Sequence, residues 1–172
     1  MAGELLWIYE GLTRYLGDVV LATRAGIRDP EATRDYLAWM VSQLEDARPG
    51  RWWRPLADTA TAVQLGVDAP GAGTAMRRPL DYYEEGALVW LEADMKLREL
   101  SGGARSLDDF CRRFFGAREG VAMGAPALLP YTFDEVLAAL GGVAIHDWRG
   151  FFAERVERVR EPGPAVAARG DR

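Results

Sequence analysis

This 172-residue chain holds one histidine and one cysteine, His146 and Cys111. A lone cysteine forms no intramolecular disulfide, and a lone histidine supplies no metal site that needs two imidazoles. A function that uses a histidine pair must draw it from elsewhere. Basic residues are also in deficit, 21 Lys+Arg against 26 Asp+Glu for a formal charge of −5, and form no stripe of the kind that releases counterions on nucleic acid. A nucleic-acid partner is therefore not expected. No apolar run reaches the roughly 18 to 20 residues that span a bilayer, because Glu10, Arg14 and Asp18 interrupt Leu5 to Leu21. No membrane partner is expected, and with no basic segment ahead of that run no signal peptide is read. The compartment stays open between cytoplasm and periplasm.

What is present forms a core. Hydrophobic residues make up 49% of the chain, ample for one buried domain. Leu5, Ile8, Leu12, Tyr15, Leu16, Val19 and Val20 recur at helical spacing and Gly26 follows as a stop, so the spacing predicts one amphipathic helix from about 4 to 25. Asp29-Pro30 offers a cap and a first-turn proline for a second helix that ends at Pro49-Gly50, packed antiparallel to the first. A less regular apolar stretch, Leu56 to Leu65, precedes a Gly/Pro-rich loop from Gly66 to Gly73.

Pro79 to Leu100 is the longest periodic run, with Leu80, Tyr83, Ala87, Trp90, Leu91, Met95 and Leu97 on one stripe and Gly102-Gly103 as terminator. Ser106-Leu-Asp-Asp109 and Thr132-Phe-Asp-Glu135 resemble capping boxes, each opening a short helix, and a last helix runs from about Trp148 to Arg160. Residues 1–161 thus read as an all-α helical bundle, and residues 162–172, from Pro162-Gly163-Pro164 onward, as a linker or disordered tail.

By spacing, Glu10 and Arg14 make an i,i+4 surface pair worth a few tenths of a kcal/mol. The surroundings argue otherwise, since Leu6-Trp7-Ile8-Tyr9 and Gly11-Leu12 enclose the carboxylate in bulky apolar groups, and an enclosed carboxylate needs a partner such as a metal ion. Tyr83, by spacing, is a core aromatic on the stripe with Ala87 and Trp90. His146 beside Asp147 reads as a surface or structural group, Cys111 as a free thiol, and Arg112-Arg113 and Arg155 to Arg160 as solvated faces. Trp52-Trp53, between Arg51 and Arg54, either close over a core or expose a contact patch.

Trp7-Ile-Tyr-Glu10-Gly-Leu-Thr-Arg-Tyr15 resembles the segment W-x-x-E-G-x-T-x-Y of the glycyl aminopeptidase family, zinc metallopeptidases related to the aminopeptidase N group. Tyr82-Tyr83-Glu84-Glu85-Gly86-Ala87 resembles that family's Y-x-K-G-A element, with Glu85 where the motif has lysine. The segments around Ser101 to Asp109, Tyr131 to Glu135 and Asp147 to Phe152 follow in the family's order, so the likeness spans roughly 5 to 161.

The resemblance implies that Glu10 is the third zinc ligand, after two histidines of an H-E-x-x-H helix, and that Tyr83 is the donor that stabilises the oxyanion, with Tyr82 one residue from that assignment. It implies the C-terminal helical half of a gluzincin catalytic domain, inactive alone, whose partners are its missing N-terminal half and a peptide substrate. Zinc would belong to the intact parent and not be held tightly by this chain. A PDZ-like domain often follows in the family, after the point that Pro162 marks here. The face bearing Trp7, Glu10 and Gly11 would then be bare and prone to self-association as a homo-oligomer. The alternative is a freestanding helical interaction module without catalysis.

Overall fold

The computed structural model describes residues 3–61, 73–116 and 130–159, and every regular element among them is helical. Helix α1 (6–24) follows a 3-10 turn at Gly3–Leu5. It runs as α-helix over Leu6–Arg14, widens to a π-helix over Tyr15–Leu21 and closes with Ala22–Arg24. Gly26 takes φ +70°, and the Ile27 and Arg28 amides turn back to the Ala22 carbonyl at 3.0 Å, which satisfies the last turn. The Asp29 carboxylate accepts from the Ala32 amide at 2.8 Å and Pro30 fills the first position, so α2 (Pro30–Ala47) starts where the dipeptide predicts.

Further along lie α3 (Leu56–Thr61), α4 (Thr74–Arg77), α5 (Asp81–Leu100), α6 (Leu107–Gly116), α7 (Phe133–Gly141) and α8 (Trp148–Val156). Thr132 and Glu135 form the expected reciprocal box on α7, and Asp147 caps α8 through the Gly150 amide at 2.9 Å. At α6 the Asp109 carboxylate accepts from the Ser106 amide at 3.0 Å, while the Ser106 hydroxyl oxygen accepts from the Asp108 amide at 3.2 Å. α8 ends at Val156, earlier than the expected Arg160. The Gly66-to-Gly73 loop, apart from Gly73, and the Pro162 tail lie outside the described residues.

α1 and α5 are the central pair. Trp90 is fully buried and its indole donates to the Ile8 carbonyl at 3.1 Å, while the buried Tyr15 hydroxyl donates to Asp94 at 2.9 Å. The other Asp94 oxygen accepts from the Leu107 amide at 2.7 Å and so seats the start of α6 against the same pair. Burial pushes the Tyr15 phenol well above its ordinary range, helped by the neighbouring Asp94 charge. The first helix meets α2 near their connecting turn, through Thr23 with Thr33 at 2.7 Å and Tyr36 with Asp18 at 3.1 Å.

α7 and α8 close the bundle over Trp7. The indole packs on Phe133 and Phe152, ring centroids 6.1 and 5.3 Å away, and is 3% exposed. The expectation of a bare face at Trp7, Glu10 and Gly11 is corrected here for Trp7 and Gly11, because Phe133 and Phe152 of this same chain cover Trp7 and the Gly86 backbone covers Gly11, while Glu10 stays half-buried. The stripe of α5 is likewise narrower than its periodicity implies: Leu80 and Met95 face solvent.

Candidate active site

The site begins with two glycines. A β-carbon on Gly11 would lie 2.5 Å from the Gly86 carbonyl carbon, and one on Gly86 would lie 2.9 Å from the Trp7 carbonyl oxygen. Only hydrogen at both positions lets the α1 and α5 backbones touch. The residues flanking this contact are brought together: Glu10, immediately before Gly11, meets Tyr83, three residues before Gly86.

Tyr83 stands within the influence of the Glu10 charge, and the Tyr82 and Tyr83 rings lie 4.8 Å apart. Partial burial, then the Glu10 charge, raise the Tyr83 phenol above its ordinary value. Burial chiefly, with Tyr83 and Glu10 adding to it, pushes Tyr82 up to about 12. Both phenols are therefore protonated at neutral pH.

Arg14 does not pair with Glu10, although the spacing allows it. Its guanidinium turns to Asp18 at 3.0 Å and Glu84 at 3.2 Å. Among the described residues no cationic side chain lies within 4 Å of the Glu10 carboxylate. A half-buried anion beside a neutral phenol is left to accept a cation.

Behind the tyrosines, Glu85 and Asp81 are buried among arginines. Glu85 is bound by Arg78 and lies 3.2 Å from Arg51, Asp81 lies 2.8 Å from Arg78 and 3.1 Å from Arg48, and Arg51 also reaches Glu45 at 2.8 Å. Burial alone would lower the Arg51 pKa, but Glu85 and Glu45 outweigh it and hold the guanidinium above its ordinary value. The acid at the motif's lysine position is thus compensated by two arginines. The partners lie 34 and seven residues upstream of Glu85, and the signal in the sequence was an acid inside an apolar stripe preceded by Arg51 and by Arg77-Arg78.

The remaining residues singled out in the sequence stay away from this cluster. His146 is exposed in the turn before α8 and stacks edge-on against Trp148 at 5.1 Å. Burial, reinforced by Asp108 and Asp94, pushes the Cys111 thiol up to about 11, which suits an inert free thiol. Trp53 is exposed and Trp52 borderline. Arg155 is not part of a solvated face: it pairs with Glu92 at 2.7 Å and lies 3.6 Å over the Phe151 ring. An apolar groove lined by Ile8, Tyr9, Leu12, Phe110, Phe114 and Tyr131 includes neither Glu10 nor Tyr83.

Tested against a zinc ion, this donor set fits one ligand position. Among the described residues no group of three or more His, Cys, Asp or Glu is placed to hold a metal, and a catalytic zinc takes three protein ligands. A family model described as M61 glycyl aminopeptidase matches residues 1–89, just over half of the chain and a span that holds both Glu10 and Tyr83. No curated protein matches the chain.

Proposed function

This chain belongs to the M61 glycyl aminopeptidase family, and on that premise we propose that it is the C-terminal helical half of a zinc aminopeptidase catalytic domain, contributing one metal ligand, Glu10, and one oxyanion donor, Tyr83. The observation that carries this reading is the state of Glu10: half-buried, beside Tyr83, and among the described residues with no cation at its carboxylate although Arg14 is one turn away. The two histidines and the general-base glutamate come from an H-E-x-x-H helix outside these 172 residues, whose single histidine cannot provide it. The chemistry that zinc supplies in such a site is Lewis-acid polarisation of the scissile carbonyl and acidification of water.

This chain's own residues then have distinct tasks. Glu10 offers a carboxylate oxygen to the ion, held by the α1–α5 contact at Gly11 and Gly86. Tyr83, kept protonated, offers its hydroxyl to the oxygen of the peptide carbonyl, where negative charge develops only in the transition state. The Tyr82 ring packs against the Tyr83 ring. The substrate is a peptide with a free N-terminus, and the groups that read its amine lie with the histidine helix.

The test is to join the upstream encoded segment to this chain and measure zinc content and release of N-terminal residues from peptides. Tyr83→Phe should lower kcat about 10²–10³-fold with KM little changed, and Glu10→Ala should remove zinc and activity together. An extended protein that holds zinc regardless of Glu10 would overturn the assignment, and one that carries the histidines yet binds neither zinc nor peptide would point to a freestanding interaction module.

A further inference from the structure

We propose that Arg14 is a substrate-binding residue: its Nη1 donates to the carbonyl oxygen of the peptide's third residue, so that the site takes peptides of four residues or more. The inference deepens the zinc aminopeptidase reading and rests on it. In that reading Glu10 marks the scissile carbonyl of residue 1, and the amine is held with the histidine helix. The rest of the peptide is left to run along this chain.

Arg14 stands one turn beyond Glu10 on α1. Its Nε lies 3.0 Å from Asp18, and its Nη2 donates at 3.2 Å to Glu84, the residue after Tyr83 on α5. Among the described residues Nη1 makes no hydrogen bond, and the side chain, 34% exposed, leaves it open to solvent. Two carboxylates thus set the guanidinium in place through two of its nitrogens, and the third is left for a ligand. Asp18 is itself held. The Tyr36 hydroxyl donates to its carboxylate at 3.1 Å, Arg28 donates to its backbone carbonyl at 2.6 Å, and the Arg28 guanidinium lies 4.2 Å over the Tyr36 ring. The donor is oriented before any peptide arrives.

Spacing and charge select the ligand. From Glu10 to Arg14 the chain is α-helical and rises about 6 Å. In an extended peptide, carbonyls two residues apart point the same way and are separated by about 6.6 Å. A peptide with its first carbonyl at Glu10 therefore brings its third to the level of Arg14. A guanidinium flanked by two carboxylates, with Glu10 one turn away, is a poor receptor for an anion because acids outnumber it. It remains a strong donor to a neutral oxygen. The atom it fits is an amide carbonyl, and not the terminal carboxylate of a tripeptide. As partly exposed pairs, Asp18 and Glu84 add little stability; what they supply is the direction of Nη1.

The experiment uses this chain joined to its encoded upstream segment and three substrates: a tripeptide, a tetrapeptide, and the same tetrapeptide with an alkene in place of its third peptide bond. The alkene keeps the shape and removes the carbonyl. In the native protein kcat/KM for the tetrapeptide should exceed that for the alkene about tenfold, the worth of one hydrogen bond from a charged donor. It should exceed that for the tripeptide as well. In Arg14→Met, which has no donor, amide and alkene should be cleaved within about twofold of each other; Arg14→Gln serves where Arg14→Met does not fold. A purely structural role would lower all three substrates together and leave the ratio standing. A variant ratio equal to the native one, a native protein blind to the alkene, or a preference for the tripeptide overturns the inference, while turnover that Glu10→Ala abolishes upholds the site. An extended protein with neither zinc nor turnover overturns the reading and the inference with it.

Discussion

Gly11 and Gly86 meet backbone to backbone, and this contact places Glu10 of one helix beside Tyr83 of the other. The neighbours of each glycine across the contact are main-chain atoms, which do not yield as a side chain does. Gly11→Ala and Gly86→Ala should each cost about 1–3 kcal/mol, roughly 2–12 °C in Tm. Gly17, with open space around its Cα, is the control: Gly17→Ala should hold or raise Tm by helix propensity. Thermal unfolding of the three variants checks the contrast, and equal losses at all three positions would remove the contact from the account.

Removing Arg78 leaves Asp81 and Glu85 buried without their main cation. Truncating one partner of a buried ion pair typically costs about 3–5 kcal/mol, so Arg78→Ala should sit at or near the limit of folding in urea titrations. Restoring the motif lysine by Glu85→Lys should be no milder, since it sets a third cation against Arg51 and Arg78. Combining Glu85→Lys with Arg51→Glu should recover part of the loss.

Much of this architecture was legible in local sequence. Asp29-Pro30, Thr132 with Glu135, and the apolar spacing of α1 and α5 act through neighbours within four residues, so their consequences can be read along the chain. Burial by distant elements cannot be read this way. Trp7 advertises a need for cover, and the expectation of a bare face assumed that the cover is missing. Phe133 and Phe152 supply it from helices more than a hundred residues away. Glu85 is the same case with charge in place of area, its cations lying on a turn and a short segment that nothing local ties to α5. The Glu10–Tyr83 meeting was readable only through the resemblance, because periodicity alone leaves Tyr83 in the core. Trp7→Lys should accordingly unfold the chain, with a loss of about 3–5 kcal/mol or more, and not merely alter its association. Circular dichroism on the purified variant separates these outcomes.

Tyr15 gives a pH dependence with a definite sign. Its folded pKa is raised above the ordinary value of 10.0 by burial first and by Asp94 second. A group with a raised folded pKa contributes its stability fully below the unfolded pKa and loses it as pH rises toward the folded one. Tm should thus fall as pH climbs above about 10, and Tyr15→Phe, which cannot ionise, should fall less steeply over that range. A Tyr15→Phe slope equal to the native slope would mean that the Tyr15–Asp94 bond does not distinguish folded from unfolded chains.

Arg14 provides the last expectation. Glu10 and Arg14 have the favourable i,i+4 order for a helix ion pair, and what keeps them apart is the capture of Arg14 by Asp18 and Glu84. The partly exposed pairs are individually weak, but their effect here is on geometry: they direct the guanidinium away from the carboxylate that the proposed site needs. Neutralising both captors, as Asp18→Asn with Glu84→Gln, should release Arg14 onto Glu10. In the protein extended with its histidine segment, zinc occupancy should then fall, since the ion must displace an arginine to reach its ligand. Adding Arg14→Gln to that pair should restore occupancy, because no cation then competes. A triple variant that stays as depleted as the double would show that the loss came from disturbed folding of α1, and not from Arg14 at Glu10.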